Sequence, residues 1–163
     1  MRFTRLSDTK TVWFTFWLTL AQTACFGVTM MVWEFKIIDE MYDAQQLAAH
    51  IDAMSPKQRQ VHAWMTSTLD VLYPLTYASF FVGITTKAFP GKMGVWLATP
   101  SLLCVPADLL EGFAQVMLLN GYDDYLQVKT TATPLKLVLF TTALVIAIAS
   151  TVRLAKKPRI KED

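Results

Sequence analysis

Apolar residues in this chain fall into four long runs, residues 12–33, 61–86, 94–119 and 135–152, parted by shorter polar stretches. At 1.5 Å per residue, each run is long enough to cross a hydrocarbon layer about 30 Å thick. The pattern therefore predicts four membrane-spanning helices. Alternation with period two is missing, which argues against a β-barrel. The predicted fold class is all-α: a four-transmembrane-helix bundle forming a single domain over residues 1–163.

Polar positions inside the middle runs are also periodic. In the second run His62, Thr66, Asp70, Tyr73 and Tyr77 recur at steps of three and four. Ser101, Cys104, Asp108, Glu111 and Gln115 do the same in the third, so each set marks one face of its helix. A polar stripe of this length cannot face lipid and is expected to look into the bundle. The first run adds a weaker row of Thr15, Thr19 and Gln22. Counting inward along each helix puts Asp70, Asp108 and Glu111 in one layer, about 2 to 7 Å to the outer side of the midplane. Lys136, in the first turn of the fourth span, is expected to be the only cation within reach, its side chain pointing either inward to Glu111 or Asp70 or outward to headgroups.

The connections carry their own signals. Asp43 can cap a short helix at residues 43–54 whose Leu47, Ile51 and Met54 form an apolar stripe. Such a helix suits the membrane surface, the mouth of the bundle, or a plain connector. Ser55, Pro56 and Gln58 read as a capping box with proline at the first helical position. Thr133-Pro134 is expected to start the fourth span in the same way, and Pro90-Gly91 to make a tight turn between spans two and three. Pro100 and Pro106 are expected to kink the third span beside Asp108.

Composition sharpens the class. The chain is 53% hydrophobic and 17% charged, with a mean hydropathy of +0.35, as expected of an integral membrane protein. Lysine and arginine gather at Arg2, Arg5 and Lys10, at Lys87 and Lys92, and at Arg153, Lys156, Lys157, Arg159 and Lys161. The other two connections hold Lys36, Lys57, Arg59 and Lys129 beside Asp39, Glu40, Asp43, Asp52, Asp123 and Asp124. The asymmetry predicts a multi-pass protein of the inner (plasma) membrane with both termini cytoplasmic. Gln22 before Thr23-Ala24-Cys25, and an apolar run continuing to Val32, make the first span a retained helix rather than a signal peptide. The net charge of +2 belongs to the cytoplasmic rim and gives no reason to expect a nucleic-acid partner. Cys25 and Cys104 are expected to pack as small apolar groups. Trp13, Trp17, Trp33, Trp64 and Trp96 near span ends read as interface anchors. His50 reads as a solvated loop residue, and phosphate-binding loops, metal motifs and nucleophile elbows are missing.

The buried acids are the candidate chemistry. Three carboxyls facing one lysine in a dry cavity cannot all be ionised together, so at least one is expected to hold a proton and be able to give it. Asp70, Asp108 and Glu111 are thus the candidate acid–base groups. Tyr73, Tyr77, Thr66, Ser101, Gln115, Gln22 and Lys136 are the candidate ligand-binding groups. A metal is not expected, because His62 lies about 12 Å, two helical turns, from Asp70. No cofactor is implied. The pattern fits a pocket for a lipid-like or isoprenoid-like amphiphile, with acid–base chemistry left open. It also fits a proton-linked transporter or channel subunit, in which a homo-oligomer is expected, and a structural accessory subunit of a membrane complex, whose acids only join helices.

Asp70-Val71-Leu72-Tyr73-Pro74-Leu75-Thr76-Tyr77, then Asp108-Leu109-Leu110-Glu111, then Thr133-Pro134-Leu135-Lys136, resembles a family of small four-helix bacterial integral membrane proteins of unassigned activity. Its members read D-L-L-F-P-L-x-Y, D-L-L-E-N and T-x-L-K. The resemblance spans residues 41–148 and implies the four-helix fold but no function; Gly112 stands where the family has asparagine. In length, topology and use of buried acids, the chain is also similar to the sterol-isomerase and sigma-2-receptor superfamily, a likeness of fold alone.

Overall fold

The computed structural model describes residues 4–156, so Arg2, Lys157, Arg159 and Lys161 of the charge asymmetry lie outside the described residues. Within that range the chain folds as α1 (Thr9–Trp33), α2 (Ala44–Ala53), α3 (Pro56–Ala88), α4 (Lys92–Leu119) and α5 (Leu126–Ala155). One 3-10 turn, Asp123–Tyr125, precedes α5, and the described residues contain no strand.

The all-helical class stands, with three of the five helices apolar enough to span a membrane and α3 the exception among the four expected spans. By length and composition α1, α4 and α5 are able to cross a membrane, whereas α3, at 33 residues, is long enough but not apolar enough. The reason is its position. α3 is the hub against which α1, α4 and α5 all pack, and His62, Thr66, Asp70, Tyr77 and Thr85 are buried on it. A helix shielded by neighbours can carry polar groups that a lipid-facing one cannot.

The helix starts follow local chemistry. Asp8 caps α1, accepting from the amides of Lys10 and Thr11 at 3.0 and 3.4 Å. Asp43 accepts from the amide of Gln46 at 2.8 Å and starts α2. The capping box at Ser55 forms as expected. Its glutamine does more, since Gln58 Nε2 also donates to the carbonyls of Trp33 and Glu34, at 3.2 and 3.1 Å. Those are among the last carbonyls of α1, which have no partner within their own helix. One side chain thus satisfies the start of α3 and ties it to the end of α1.

The start of α5 differs from expectation. Thr133-Pro134 does not begin the helix: it begins at Leu126 and runs through Pro134. Proline removes one helical hydrogen bond, the one to the Thr130 carbonyl. Against that loss the first turns gain buried tertiary contacts through Lys129 and Thr133, described below. α4 likewise continues through Pro100 and Pro106 without a break.

Pro90 and Gly91 turn the chain between α3 and α4, with Gly91 at φ 84°, a conformation favoured by glycine. Two residues into α4, a Cβ on Gly94 would lie 2.0 Å from the Phe89 carbonyl oxygen. Gly94→Ala is therefore expected to destabilise the protein by about 1–3 kcal/mol through overpacking of backbone that cannot move aside. Unfolding in detergent checks this, and a variant within about 0.5 kcal/mol of wild type would show that the hairpin relaxes instead.

Two apolar clusters lie at the two ends of the bundle. One is built on Tyr77, Phe81, Cys104, Ala143 and Ala147. The other joins Phe35, Ile38, Leu47, Ile51, Met54, Met65, Leu118 and Leu119. Of the placements open to α2, the structure takes the mouth of the bundle, with Leu47, Ile51 and Met54 buried in this second cluster. His50 Nε2 lies 3.3 Å from the Lys36 carbonyl oxygen, within this cap. Cys104 packs inside as expected. Cys25 does not, because it sits on an exposed face of α1. All five tryptophans are partly or largely exposed, in keeping with lipid contact.

Candidate functional site

Between the two clusters lies a layer of charge. Its centre is Glu111, which is almost completely buried on α4. Lys129 Nζ lies 2.7 Å from Glu111 Oε1, and Lys136 forms an ion pair with Oε2. The hydroxyl of Thr133 sits 2.5 Å from Oε1. Lys129, Thr133 and Lys136 follow one another at steps of four and three along α5, so one face of that helix delivers all three groups.

By sequence Lys129 belongs to a connection between spans, and Lys136 is the only cation in reach. Neither expectation holds. Lys129 is 0% exposed, because α5 starts early enough to carry it into the bundle. Besides Glu111 and Thr133, its ammonium reaches the carbonyl oxygens of Ile38 at 2.9 Å and Met41 at 3.3 Å. It therefore pins the segment between α1 and α2 onto α5. Asp39, in the same segment and expected as a plain loop acid, also belongs to the layer. Gln115 Nε2 donates to its Oδ1 at 2.8 Å, and Lys136 Nζ lies 4.0 Å from its Oδ2.

Asp108 accepts a hydrogen bond at Oδ2 from the Tyr77 hydroxyl at 2.8 Å. Its Oδ1 lies 3.3 Å from Lys136 Nζ but has no well-aligned hydrogen-bond partner among the described residues. Asp70 differs from the other acids. It is only 8% exposed, yet it makes no hydrogen bond or ion pair with any described residue. Gly112 opposite it contributes no side chain; a Cβ there would begin 3.5 Å from Asp70 Oδ2. Four carboxyls thus share two ammoniums, and the nearest approaches of both ammoniums are to Glu111.

The remaining candidates divide. Tyr73 and Tyr77 stand beside the acids with their rings edge to face at 5.3 Å, and the Tyr73 hydroxyl lies 3.1 Å from that of Thr23 on α1. Thr66 donates to Gln115 Oε1 at 3.5 Å, joining α3 to α4. Gln22 accepts from the Thr76 hydroxyl at 2.5 Å and serves the α1/α3 contact, away from the acids. Ser101 is buried further along α4 and lines none of the openings described here. His62 is buried in the capping cluster, stacked on Phe35 with ring centroids 4.8 Å apart. Among the described residues no group of three His, Cys, Asp or Glu side chains is arranged to hold a metal ion.

Asp39, Asp70, Asp108, Tyr73, Tyr77 and Lys136 line one side of a cavity of about 460 Å³ between α1, α3 and α5. Phe26, Met30, Leu137 and Phe140 supply its apolar walls. On the opposite side of α3, Asp70 and Asp108 also border a groove of about 250 Å³ toward α4, with Gly112 in its wall. The same two carboxyls are therefore approached from two openings. Compared with family models, characterised proteins and solved structures, the chain matches none of them.

Proposed function

We propose that this is a four-span bacterial inner-membrane protein, with both termini in the cytoplasm, that holds a lipid-like or isoprenoid-like amphiphile at the acid layer. The carrying observation is Asp70, buried without a partner on the wall of a cavity whose other surfaces are largely apolar. Its carboxyl is open to the cavity and engaged by no other side chain, so a ligand that donates to it there gains a hydrogen bond without displacing one. The free acceptor on the cavity wall is the Asp70 carboxyl, so the headgroup is one that donates, through a hydroxyl or an amine. Its apolar part lies against Phe26, Met30, Leu137 and Phe140.

The division of labour follows from the contacts. Glu111, Lys129 and Thr133 hold the bundle together, whereas Asp70 is the acid left to bind or exchange a proton. Lys136 supplies the counter-charge for Asp108. The charge asymmetry supports the orientation: Arg5, Lys10, Lys87, Lys92, Arg153 and Lys156 share one end, and burial of Lys129 removes a cation from the other. Three apolar helices around a polar hub support membrane insertion, with α3 as the fourth span. The order of the three short motifs supports kinship with the small four-helix bacterial proteins.

Native mass spectrometry of the protein released from mild detergent tests the reading. Wild type is expected to retain a bound amphiphile, and Asp70→Asn to lower its occupancy about tenfold, as for exchanging a charged hydrogen-bond acceptor for a neutral amide. Stability is expected to change by less than about 0.5 kcal/mol, because Asp70 bonds no other residue. Unchanged occupancy in Asp70→Asn together with Asp108→Asn would sink the proposal.

A further inference from the structure

Away from the acid layer, α1 and α5 both pack on α3 but scarcely meet each other, and toward the basic end of the bundle they leave a second opening. It measures about 640 Å³ and is walled mainly by Phe16, Phe80, Phe81, Ile84 and Ile148, with Lys87, Thr9 and Thr151 at its rim. A tilted pair of rings stands between the two openings: Phe140, in the wall of the acid cavity, meets Phe81, in the wall of the second, at 5.7 Å. The second opening is thus a distinct compartment from the acid cavity.

We propose that this compartment binds an anionic phospholipid, with an acyl chain along the phenylalanine wall and the phosphate at Lys87. An apolar cleft of this size is filled in a bilayer by the hydrocarbon around it, because interiors do not keep large voids. Charge at the rim decides which lipid supplies the chain. The Lys87 ammonium carries three donors, and its bond to the Thr9 hydroxyl uses one while holding it at the rim. Lys10, Arg153 and Lys156 belong to the same end. Asp8 is the one acid there among the described residues, and its carboxylate is occupied by the amides of Lys10 and Thr11. Basic pockets between membrane helices on this side are suited to anionic headgroups, and each lysine near the surface favours an anionic lipid by about fivefold.

The test uses the full chain in nanodiscs of equal parts phosphatidylglycerol and phosphatidylcholine, extracted and analysed by native mass spectrometry. Wild type is expected to retain phosphatidylglycerol about fivefold over phosphatidylcholine. Lys87→Gln is expected to lose that preference, whereas Lys92→Gln, at the same end but outside the cleft, keeps it. Thr151→Trp fills the rim from an exposed position and is expected to lower retention of both lipids. Equal retention of the two lipids by wild type overturns the proposal, as does loss of preference in Lys92→Gln or full retention in Thr151→Trp. Asp70→Asn, which tests the acid cavity, is expected to leave this preference unchanged, so the two sites succeed or fail separately.

Discussion

Lys129→Met is expected to lower stability by about 3–5 kcal/mol, the cost of leaving a buried charge without its partner. Methionine has a similar length and packs well in irregular cores, so lost volume is not the cause. What goes is the ammonium that Glu111 Oε1, Thr133 and the carbonyls of Ile38 and Met41 all face. Those oxygens remain buried, and the segment between α1 and α2 loses its anchor on α5. Denaturant titration of the detergent-solubilised protein gives the magnitude, and faster proteolysis within residues 34–43 gives the location. Raising the salt concentration is expected to leave the difference nearly unchanged, because a fully enclosed pair is little screened. A loss below about 1 kcal/mol would mean that Lys129 behaves as a surface cation.

Glu111→Gln is expected to cost as much or more, since it removes the anion shared by both lysines and keeps the shape of the side chain. Asp108 and Asp39 remain as partners for Lys136, at 3.3 and 4.0 Å, whereas Lys129 has no other carboxylate within ion-pair distance among the described residues. The stronger check is the double variant. Combining Glu111→Gln with Lys129→Met removes both members of the pair, so its loss is expected to be smaller than the sum of the single losses. Simple additivity would show that the two side chains act independently, against the 2.7 Å contact.

The sequence made the helical class, the caps at Asp43 and Ser55, and the shared face of Asp108, Glu111 and Gln115 legible, because each depends on local spacing. The side chains of the three short motifs also converge: Tyr77 with Asp108, Asp108 and Glu111 with Lys136, and Glu111 with Thr133. What the sequence hid depends on tertiary structure. Pro134 is a strong helix-start signal, yet the contacts of Lys129 and Thr133 outweigh it and carry the helix back to Leu126. The steps from Lys129 through Thr133 to Lys136 repeat the spacing that exposed the stripes of α3 and α4. Extended upstream of the apolar run, that test finds the second lysine. Asp39 offers no such signal. It lies in an irregular segment, and only folding brings it to Gln115 and Lys136.

The position of the two lysines on the last helix has a consequence for biogenesis. Chains emerge from the ribosome N-terminus first, so Asp108 and Glu111 on α4 leave it ahead of Lys129 and Lys136 on α5. A carboxylate at the centre of an isolated span costs about 2.5–3.5 kcal/mol during insertion. An α3/α4 hairpin formed before α5 docks is expected to keep its acids hydrated or protonated, and docking of α5 brings both of their lysines at once.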